Sequence, residues 1–159
     1  WHGSSLIHHK AQKKVTIAKH ILFLCYGNIN RSALAQAIAE QAVSSDIQFY
    51  SAGFHSPDKR PADPNMVEIA AYNDTDLTNW QSTTLNAELL EKSDLILAME
   101  ITHLERLITE YPQAKNKAFL LGSLVDHSSN VEIRDPYNQE PEVYVQVFKQ
   151  VKEAVQKIM

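Results

Sequence analysis

The sequence predicts an α/β fold in which helices cover both faces of a parallel sheet. Two short, continuous apolar runs, HILFLC at 20–25 and DLILAM at 94–99, are typical of strands buried on both faces. Segments with apolar residues at helical spacing alternate with such runs along the chain. This alternation is the pattern of a parallel sheet between two layers of helices. The 159 residues are enough for one domain with a single core.

The elements can be predicted in chain order. Strands are expected at 20–25, 47–52, 94–99 and 118–125. Helices are expected from Ser32, as N-cap, to about Val43, and at 64–73, 87–91, 102–111 and 142–159. The last helix has inward-facing apolar positions at Val143, Val147, Val151, Val155 and Ile158. Prolines and polar residues predict long loops at 54–64 and 131–141, and residues 74–84 are polar and irregular.

Composition and charge exclude several classes of protein. Hydrophobic residues make up 44% and charged residues 21%, and the net charge of −4 gives no sign of a nucleic-acid partner. No segment approaches the ~20 apolar residues of a membrane span, and the run after Lys19 is too short for a signal peptide. We therefore expect no membrane span and a cytoplasmic location.

The cysteine and histidine content limits the possible cofactors. The single cysteine excludes an internal disulfide framework and a metal site built from several cysteines, which fits a reducing compartment. The seven histidines do not fall into metal-ligand spacings. We therefore expect no metal and no organic cofactor.

Residues 1–19 are expected to form a flexible N-terminal extension ahead of a folded domain at 20–159. The chain starts WHGSS, without Met, so its first residues are interpreted as partly vector-derived. The lysines of this segment meet no acidic residue before Glu40, which is typical of a solvated tail.

The loop CYGNINR, residues 25–31, has the composition of an anion-binding cradle. It lies between a buried strand and a helix start, where backbone N–H groups and the helix dipole attract an anion. Gly27 permits a positive φ, and Asn28 and Asn30 are the next most tolerant residues. Arg31 offers a planar fork that suits two phosphate oxygens.

Cys25 is the candidate nucleophile of this loop. The surrounding donors and the neighbouring guanidinium stabilise a thiolate, which could attack phosphorus in line and form a cysteinyl-phosphate. Ser32 could then donate its hydroxyl to the departing sulfur. A lone cysteine that ends a buried strand is usually an inert small hydrophobic residue, but the Gly-Asn pair, Arg31 and the following helix favour the catalytic interpretation.

Asp135, in RDPYNQ, is the candidate general acid. Expulsion of a phenolate, whose conjugate acid has a pKa near ~10, is easier when a neighbour protonates the oxygen. Pro136 stiffens the backbone after Asp135, and Tyr137 supplies an aromatic wall. Asp-Pro-Tyr is often only a turn; its place in a long loop before the last helix favours the functional interpretation.

Four segments, CYGNINRSALAQAIAE, FYSAG, SDLILAMEITHLERL and RDPYN, together resemble the low-molecular-weight protein tyrosine phosphatases in order and rough spacing. The resemblance runs from about Ile21 to the end. It implies a central four-stranded parallel sheet of the phosphotyrosine phosphatase I type, with Cys25 as nucleophile, Arg31 as phosphate ligand and Asp135 as acid. It also implies a set of residues that bind phosphate or the substrate ring: Tyr26, Gly27, Asn28, Ile29, Asn30, Ser32, Tyr137, Phe54 and His55.

The chain departs from the family pattern at three positions. Asn30 lies where the family commonly has a second cysteine, so Cys25 has no partner for a protective disulfide and would oxidise further, with a sulfenamide as one route. Trp80 lies where the family typically has a histidine that braces Asn28. Asn138 lies where many members have another tyrosine.

The resemblance implies a protein tyrosine phosphatase that acts without a metal. Two other functions stay open: an arsenate reductase that uses external thiols, and a non-catalytic module that binds phosphotyrosine or oxyanions. The expected partners are phosphotyrosine-containing proteins, with a tyrosine kinase among the candidates, and the expected state is a monomer or weak dimer.

Overall fold

The computed structural model describes residues 4–42, 46–125 and 130–158. Within these ranges the strands are β1 (His20–Cys25), β2 (Gln48–Gly53), β3 (Leu95–Ala98) and β4 (Ala118–Leu120). They form one parallel sheet in the order β2-β1-β3-β4. The four-stranded parallel α/β fold predicted from the sequence is confirmed.

Helices cover both faces of the sheet. They are α1 (Ser4–Ile17), α2 (Arg31–Ala42), α3 (Pro64–Tyr72), α4 (Ala87–Lys92), α5 (Ile101–Glu110) and α6 (Pro141–Gln156). Two short 3-10 helices lie at Pro112–Lys117 and Leu121–Leu124. Phe23 of β1 packs into the core shared with α2, α3 and α6, whereas Leu22 and Leu24 pack into a second core with α4 and α5. This alternation of faces follows from the period of two along a strand.

The predicted strand at 118–125 is correct only over its first residues. β4 ends at Leu120, and the chain turns into the 3-10 helix Leu121–Leu124. Ser123 Oγ donates to Leu120 O at 2.6 Å and closes this turn. A continuous apolar run does not distinguish a strand from another buried segment, and Leu121 and Leu124 are fully buried in the turn. The predicted helix ends at Val43 and Met159 lie outside the described residues.

Part of the N-terminal extension is helical. In α1, Ala11 and Val15 are four residues apart and both are buried. Gln12 Nε2 donates to Leu124 O at 3.1 Å, so α1 packs on the 3-10 helix Leu121–Leu124. No helix in the described ranges has the length and apolarity to cross a membrane.

The strands bring several chain segments to one edge of the sheet. Cys25, the last residue of β1, pairs with Gly53, the last residue of β2. β3 lies on the other side of β1 and ends at Ala98. The loops that follow these three strands therefore meet at the carboxyl edge, where ligands bind in folds of this kind.

Candidate active site

The loop between β1 and α2 wraps around the Cys25 thiol. The Asn28 N–H donates to Cys25 Sγ at 3.2 Å, and Ser32 Oγ lies 2.8 Å from the same sulfur. Cys25 itself is buried. The predicted N-cap role of Ser32 is wrong, because α2 already begins at Arg31 and the Ser32 hydroxyl is turned toward Cys25 instead.

Asn28 fixes the shape of this loop. Its φ of 57° lies in the left-handed region that asparagine tolerates better than most residues. Its Nδ2 donates to Ser32 Oγ at 2.8 Å and to Ser51 Oγ at 2.9 Å, and its Oδ1 accepts the Thr83 N–H at 2.8 Å. Trp80 Nε1 donates to the Asn28 carbonyl oxygen at 2.8 Å. Trp80 therefore holds the backbone of Asn28, while the two serines and Thr83 hold its side chain.

Gly53 lets β2 pass close to the loop. A Cβ atom at this position would lie 2.6 Å from Tyr26 O and 2.9 Å from Asn28 N. Both neighbours are backbone atoms, so they cannot move aside as a flexible side chain would. Only glycine fits here.

Asn30 ties the loop to two helices. Its Nδ2 donates to Asp63 Oδ2 at 3.0 Å, and Tyr144 OH of α6 donates to the same oxygen at 2.6 Å. Asp63 is also the N-cap of α3, accepting the Asn65 N–H at 3.0 Å. Burial, and then the hydrogen bond to Asp63, raise the pKa of Tyr144 above its ordinary value. Within the described residues, Asn30 Oδ1 is buried without a hydrogen-bond partner.

The Arg31 guanidinium is buried and held on one side. Its Nη1 donates to Glu100 Oε2 at 2.5 Å and to Ile133 O at 2.8 Å. Its Nη2 lies 4.0 Å from Asp135 Oδ2. In the part of the chain that the structure describes, Nε and Nη2 form no hydrogen bond, so two donors remain for an anion.

His103 lies beside this ion pair. Its Nδ1 accepts the Glu100 N–H at 3.2 Å. Burial, and then the charge of Arg31, lower the pKa of His103 to about 4, against a smaller opposite effect of Glu100 and Asp135. His103 is therefore neutral near pH 7, and its ring acts as a hydrogen-bond acceptor at the start of α5.

Asp135 and Tyr137 lie across from the loop. Asp135 Oδ1 accepts the Tyr137 N–H at 3.0 Å, which orients the carboxylate within its own turn. Both side chains are about half exposed, at 51% and 52%. The carboxyl group can therefore reach a substrate that enters from solvent.

These residues surround a cavity of about 490 Å³. Its wall is formed by Cys25, Tyr26, Gly27, Asn28, Ile29, Asn30, Arg31, His55, Arg60, Pro61, Asp135 and Tyr137. The rings of Tyr26 and His55 stack with centroids 5.5 Å apart and form an aromatic part of that wall.

Most of the residues predicted for the site meet in this cavity, and two do not. Ser32 lies behind Cys25 and does not form part of the wall. Phe54 is turned to the second core, where the Arg106 guanidinium lies 4.4 Å from its ring centroid. Of the two aromatic candidates after the SAG segment, His55 is the one in the cavity.

Three residues of the site, Arg60, Pro61 and Glu100, were not predicted from the sequence. Arg60 and Pro61 belong to the loop 54–64, whose prolines marked it only as a loop. Glu100 follows β3, and its position at the carboxyl edge next to β1 was the available signal.

Three comparisons with known proteins agree on one family. The family model for low molecular weight phosphotyrosine protein phosphatases matches residues 20–159. The chain is 33% identical over 130 residues to the low molecular weight protein-tyrosine-phosphatase Wzb of Escherichia coli (strain K12), covering 81% of this chain and 85% of that protein.

Two solved structures of related phosphatases are similar to this chain. Vibrio vulnificus Wzb in complex with benzylphosphonate superposes with a TM-score of 0.79 at 32% identity, covering 87% of this chain and 94% of that one. The YwlE arginine phosphatase of Geobacillus stearothermophilus superposes with a TM-score of 0.81 at 25% identity, covering 87% and 89%.

Proposed function

Since the chain belongs to the low molecular weight phosphotyrosine protein phosphatase family, we propose that it hydrolyses phosphotyrosine in proteins through a cysteinyl-phosphate intermediate. The observation that carries the proposal is the buried Cys25 thiol in the cavity wall, with Arg31 and Asp135 in the same wall. No metal or organic cofactor is needed for this chemistry.

In the first step the phosphate binds among the N–H groups of residues 26–30 and the free donors of Arg31. Cys25 Sγ attacks phosphorus, and the bond between phosphorus and the tyrosine oxygen breaks. Asp135 gives its proton to that oxygen, so tyrosine leaves as the neutral phenol. The Asn28 N–H, 3.2 Å from the sulfur, stabilises the thiolate before attack.

In the second step water attacks the cysteinyl-phosphate. Asp135, now a carboxylate, takes a proton from that water, and the bond between sulfur and phosphorus breaks. The departing sulfur becomes a thiolate again, and the Ser32 hydroxyl at 2.8 Å can donate to it. Inorganic phosphate leaves, and the starting state is restored.

Phosphoarginine is the second candidate substrate, because YwlE of Geobacillus stearothermophilus is an arginine phosphatase of the same fold. We favour phosphotyrosine because Tyr26, His55 and Tyr137 give the cavity aromatic walls. Arg60, which forms no ion pair within the described residues, also lines the cavity and would repel a substrate guanidinium. The Wzb relative from Vibrio vulnificus was solved with benzylphosphonate, an aromatic phosphonate.

The proposed partners are phosphotyrosine-containing proteins, such as a tyrosine kinase, and the proposed location is the cytoplasm. The single thiol, which has no second cysteine to pair with, suits a reducing compartment.

The test is hydrolysis of p-nitrophenyl phosphate, a phosphotyrosine peptide and a phosphoarginine peptide, with chelator present. Cys25→Ser should abolish turnover. Asp135→Asn should lower kcat by about 10²–10⁴-fold on the phosphotyrosine peptide. Its effect on p-nitrophenyl phosphate should be smaller, because p-nitrophenolate leaves more easily without a proton.

Binding of vanadate separates the acid role from a structural one. Asp135→Asn should leave vanadate affinity largely unchanged, and equal loss of binding and turnover would contradict the acid role. Binding of phosphotyrosine without turnover by the unchanged protein would favour a non-catalytic module. Reduction of arsenate with added thiol, without phosphatase activity, would favour the reductase.

A further inference from the structure

Two guanidinium groups line the cavity, and their electrostatic surroundings differ. Arg31 is paired with Glu100 at 2.5 Å and lies 4.0 Å from Asp135. Arg60 forms no ion pair with any residue in the described ranges. The charge of Arg31 is therefore largely compensated within the protein, whereas that of Arg60 is not.

The Arg60 guanidinium is nevertheless fixed in place. Its Nε donates to Pro57 O at 2.8 Å, and its Nη2 donates to Gly27 O at 2.9 Å and to His55 O at 3.0 Å. Its Nη1 has no acceptor within the part of the chain described. A fixed cation with two unused N–H groups loses little side-chain entropy when it binds an anion.

Asp58 is the acidic residue nearest to Arg60 in sequence, and its carboxylate is occupied elsewhere. Its Oδ1 accepts the Thr84 N–H at 2.7 Å. Hydrogen bonds from Thr84 are the main cause that lowers the pKa of Asp58, and Lys59 and Arg60 add smaller effects. Asp58 is exposed, so water screens its remaining attraction to Arg60.

Arg60 also lies outside the ring that would hold the phosphate. In an anion cradle the N–H groups point inward and the carbonyls point outward. Arg60 bonds the carbonyl of Gly27, so it approaches the loop from its outer side. Arg60 still lines the cavity, so it would face the part of a bound substrate next to the phosphotyrosine.

We propose that Arg60 forms a second anion site, which binds the carboxylate of an aspartate or glutamate close to the phosphotyrosine in the substrate. The site makes the enzyme selective for acidic phosphotyrosine segments. This inference rests on the phosphatase function proposed above.

The test measures kcat/KM for a set of phosphotyrosine peptides. In the reference peptide the residues around the phosphotyrosine are alanines. Each of the other peptides carries a single glutamate, at one of the two positions before or the two positions after the phosphotyrosine. The unchanged enzyme should favour at least one glutamate peptide by about twofold to fivefold, the range of a partly exposed charge pair. Arg60→Gln should reduce that ratio to about one. The alanine peptide corrects for any loss from the broken bond to Gly27.

Lys59→Gln and Arg134→Gln are matched controls, because each removes one positive charge from an exposed residue that adjoins a cavity-wall residue in sequence, Arg60 and Asp135 respectively. Both should keep the preference for glutamate. Equal kcat/KM for all peptides, a preference that survives Arg60→Gln, or a preference lost in Arg134→Gln instead would overturn the assignment. No hydrolysis of any phosphotyrosine peptide by the unchanged enzyme would count against the phosphatase function itself.

If Arg60→Gln is inactive on every peptide, affinities replace rates. The dissociation constants of the alanine and glutamate peptides are then measured with Cys25→Ser, and with Cys25→Ser combined with Arg60→Gln. The ratio of the dissociation constants of the alanine and glutamate peptides should fall to about one in the double variant. An unchanged ratio would refute the site.

Discussion

Trp80→Phe tests whether the indole N–H supports the phosphate loop. The substitution keeps an aromatic ring and removes the indole N–H. In the unchanged protein this N–H donates to the Asn28 carbonyl oxygen, with 2.8 Å between nitrogen and oxygen. Asn28 also donates its own N–H to Cys25 Sγ. A change in the Asn28 backbone is therefore transmitted directly to the nucleophile.

The expected loss in the free energy of unfolding follows from one lost hydrogen bond and a smaller ring. A neutral hydrogen bond contributes about 0.5–1.5 kcal/mol net. Trp80 is only partly buried and borders a second cavity of about 280 Å³ that is lined by Glu40, Gln41 and Asp76, so water can reach this region and partly replace the donor. We expect a loss of about 1 kcal/mol, which corresponds to a fall in Tm of about 2–4 °C for a chain of this size.

Activity should fall with stability, because the same bond orients the loop. About 1 kcal/mol of lost transition-state stabilisation lowers kcat/KM roughly fivefold. The assay is hydrolysis of p-nitrophenyl phosphate together with thermal unfolding. Trp80→His is the matched variant: it retains a ring N–H and should recover part of both losses. Unchanged Tm and unchanged kcat/KM in Trp80→Phe would refute the reasoning.

Two further substitutions test the surroundings of the site. Gly53→Ala should cost about 1–3 kcal/mol of stability and lower kcat/KM at least tenfold, since its Cβ would lie 2.6 Å from Tyr26 O; a fully active, equally stable variant would contradict this close approach. His103→Asn should make stability depend less steeply on pH in the acidic range. The unfolded chain takes up a proton at the ordinary pKa of 6.5, whereas the folded pKa of His103 is about 4, so stability falls as the pH drops from 6.5 to 4. Thermal unfolding across that range should show a shallower slope in the variant, and parallel curves would exclude the effect.

The parts of the site that lie close together in sequence could be predicted. Cys25 and Arg31 belong to one loop, and the apolar run before them and the helical spacing after them are local signals. Asp135 could be predicted because expulsion of a phenolate needs a general acid, and this aspartate precedes Pro136 in a long loop. Its meeting with Arg31, at 4.0 Å, depends on the fold and was only implied by the family resemblance.

Contacts between distant segments could not be predicted in the same way. Glu100 is 69 residues from Arg31 in the chain, and nothing in the sequence connected the two. Trp80 is 52 residues from Asn28, and only the family resemblance connected them. The order of the strands brings the end of β3 beside β1, but it does not determine which polar side chain turns toward the arginine. That choice depends on where α5 begins, and helix boundaries are weakly encoded in sequence.

The helix α1 was missed for a different reason. It has few apolar residues, and its lysines match the pattern of a solvated tail. Its stabilising contacts are tertiary: Ala11 and Val15 are buried, and Gln12 bonds Leu124 O. Short helices gain most of their stability from such packing, so helix propensity alone does not predict them.

The two main departures from the family pattern also have a structural account. At Asn30, where the family commonly has a cysteine, the side-chain amide donates to Asp63 and links the loop to α3 and α6. At Trp80, where the family typically has a histidine, the indole N–H holds the Asn28 carbonyl, and Ser51 and Thr83 hold the Asn28 side-chain amide. The loop is thus anchored on two independent sides before any phosphate binds. Donors held in this way need no rearrangement when charge develops on the phosphate, which is the main condition for electrostatic catalysis. Neither departure therefore removes the support that the proposed phosphatase reaction requires.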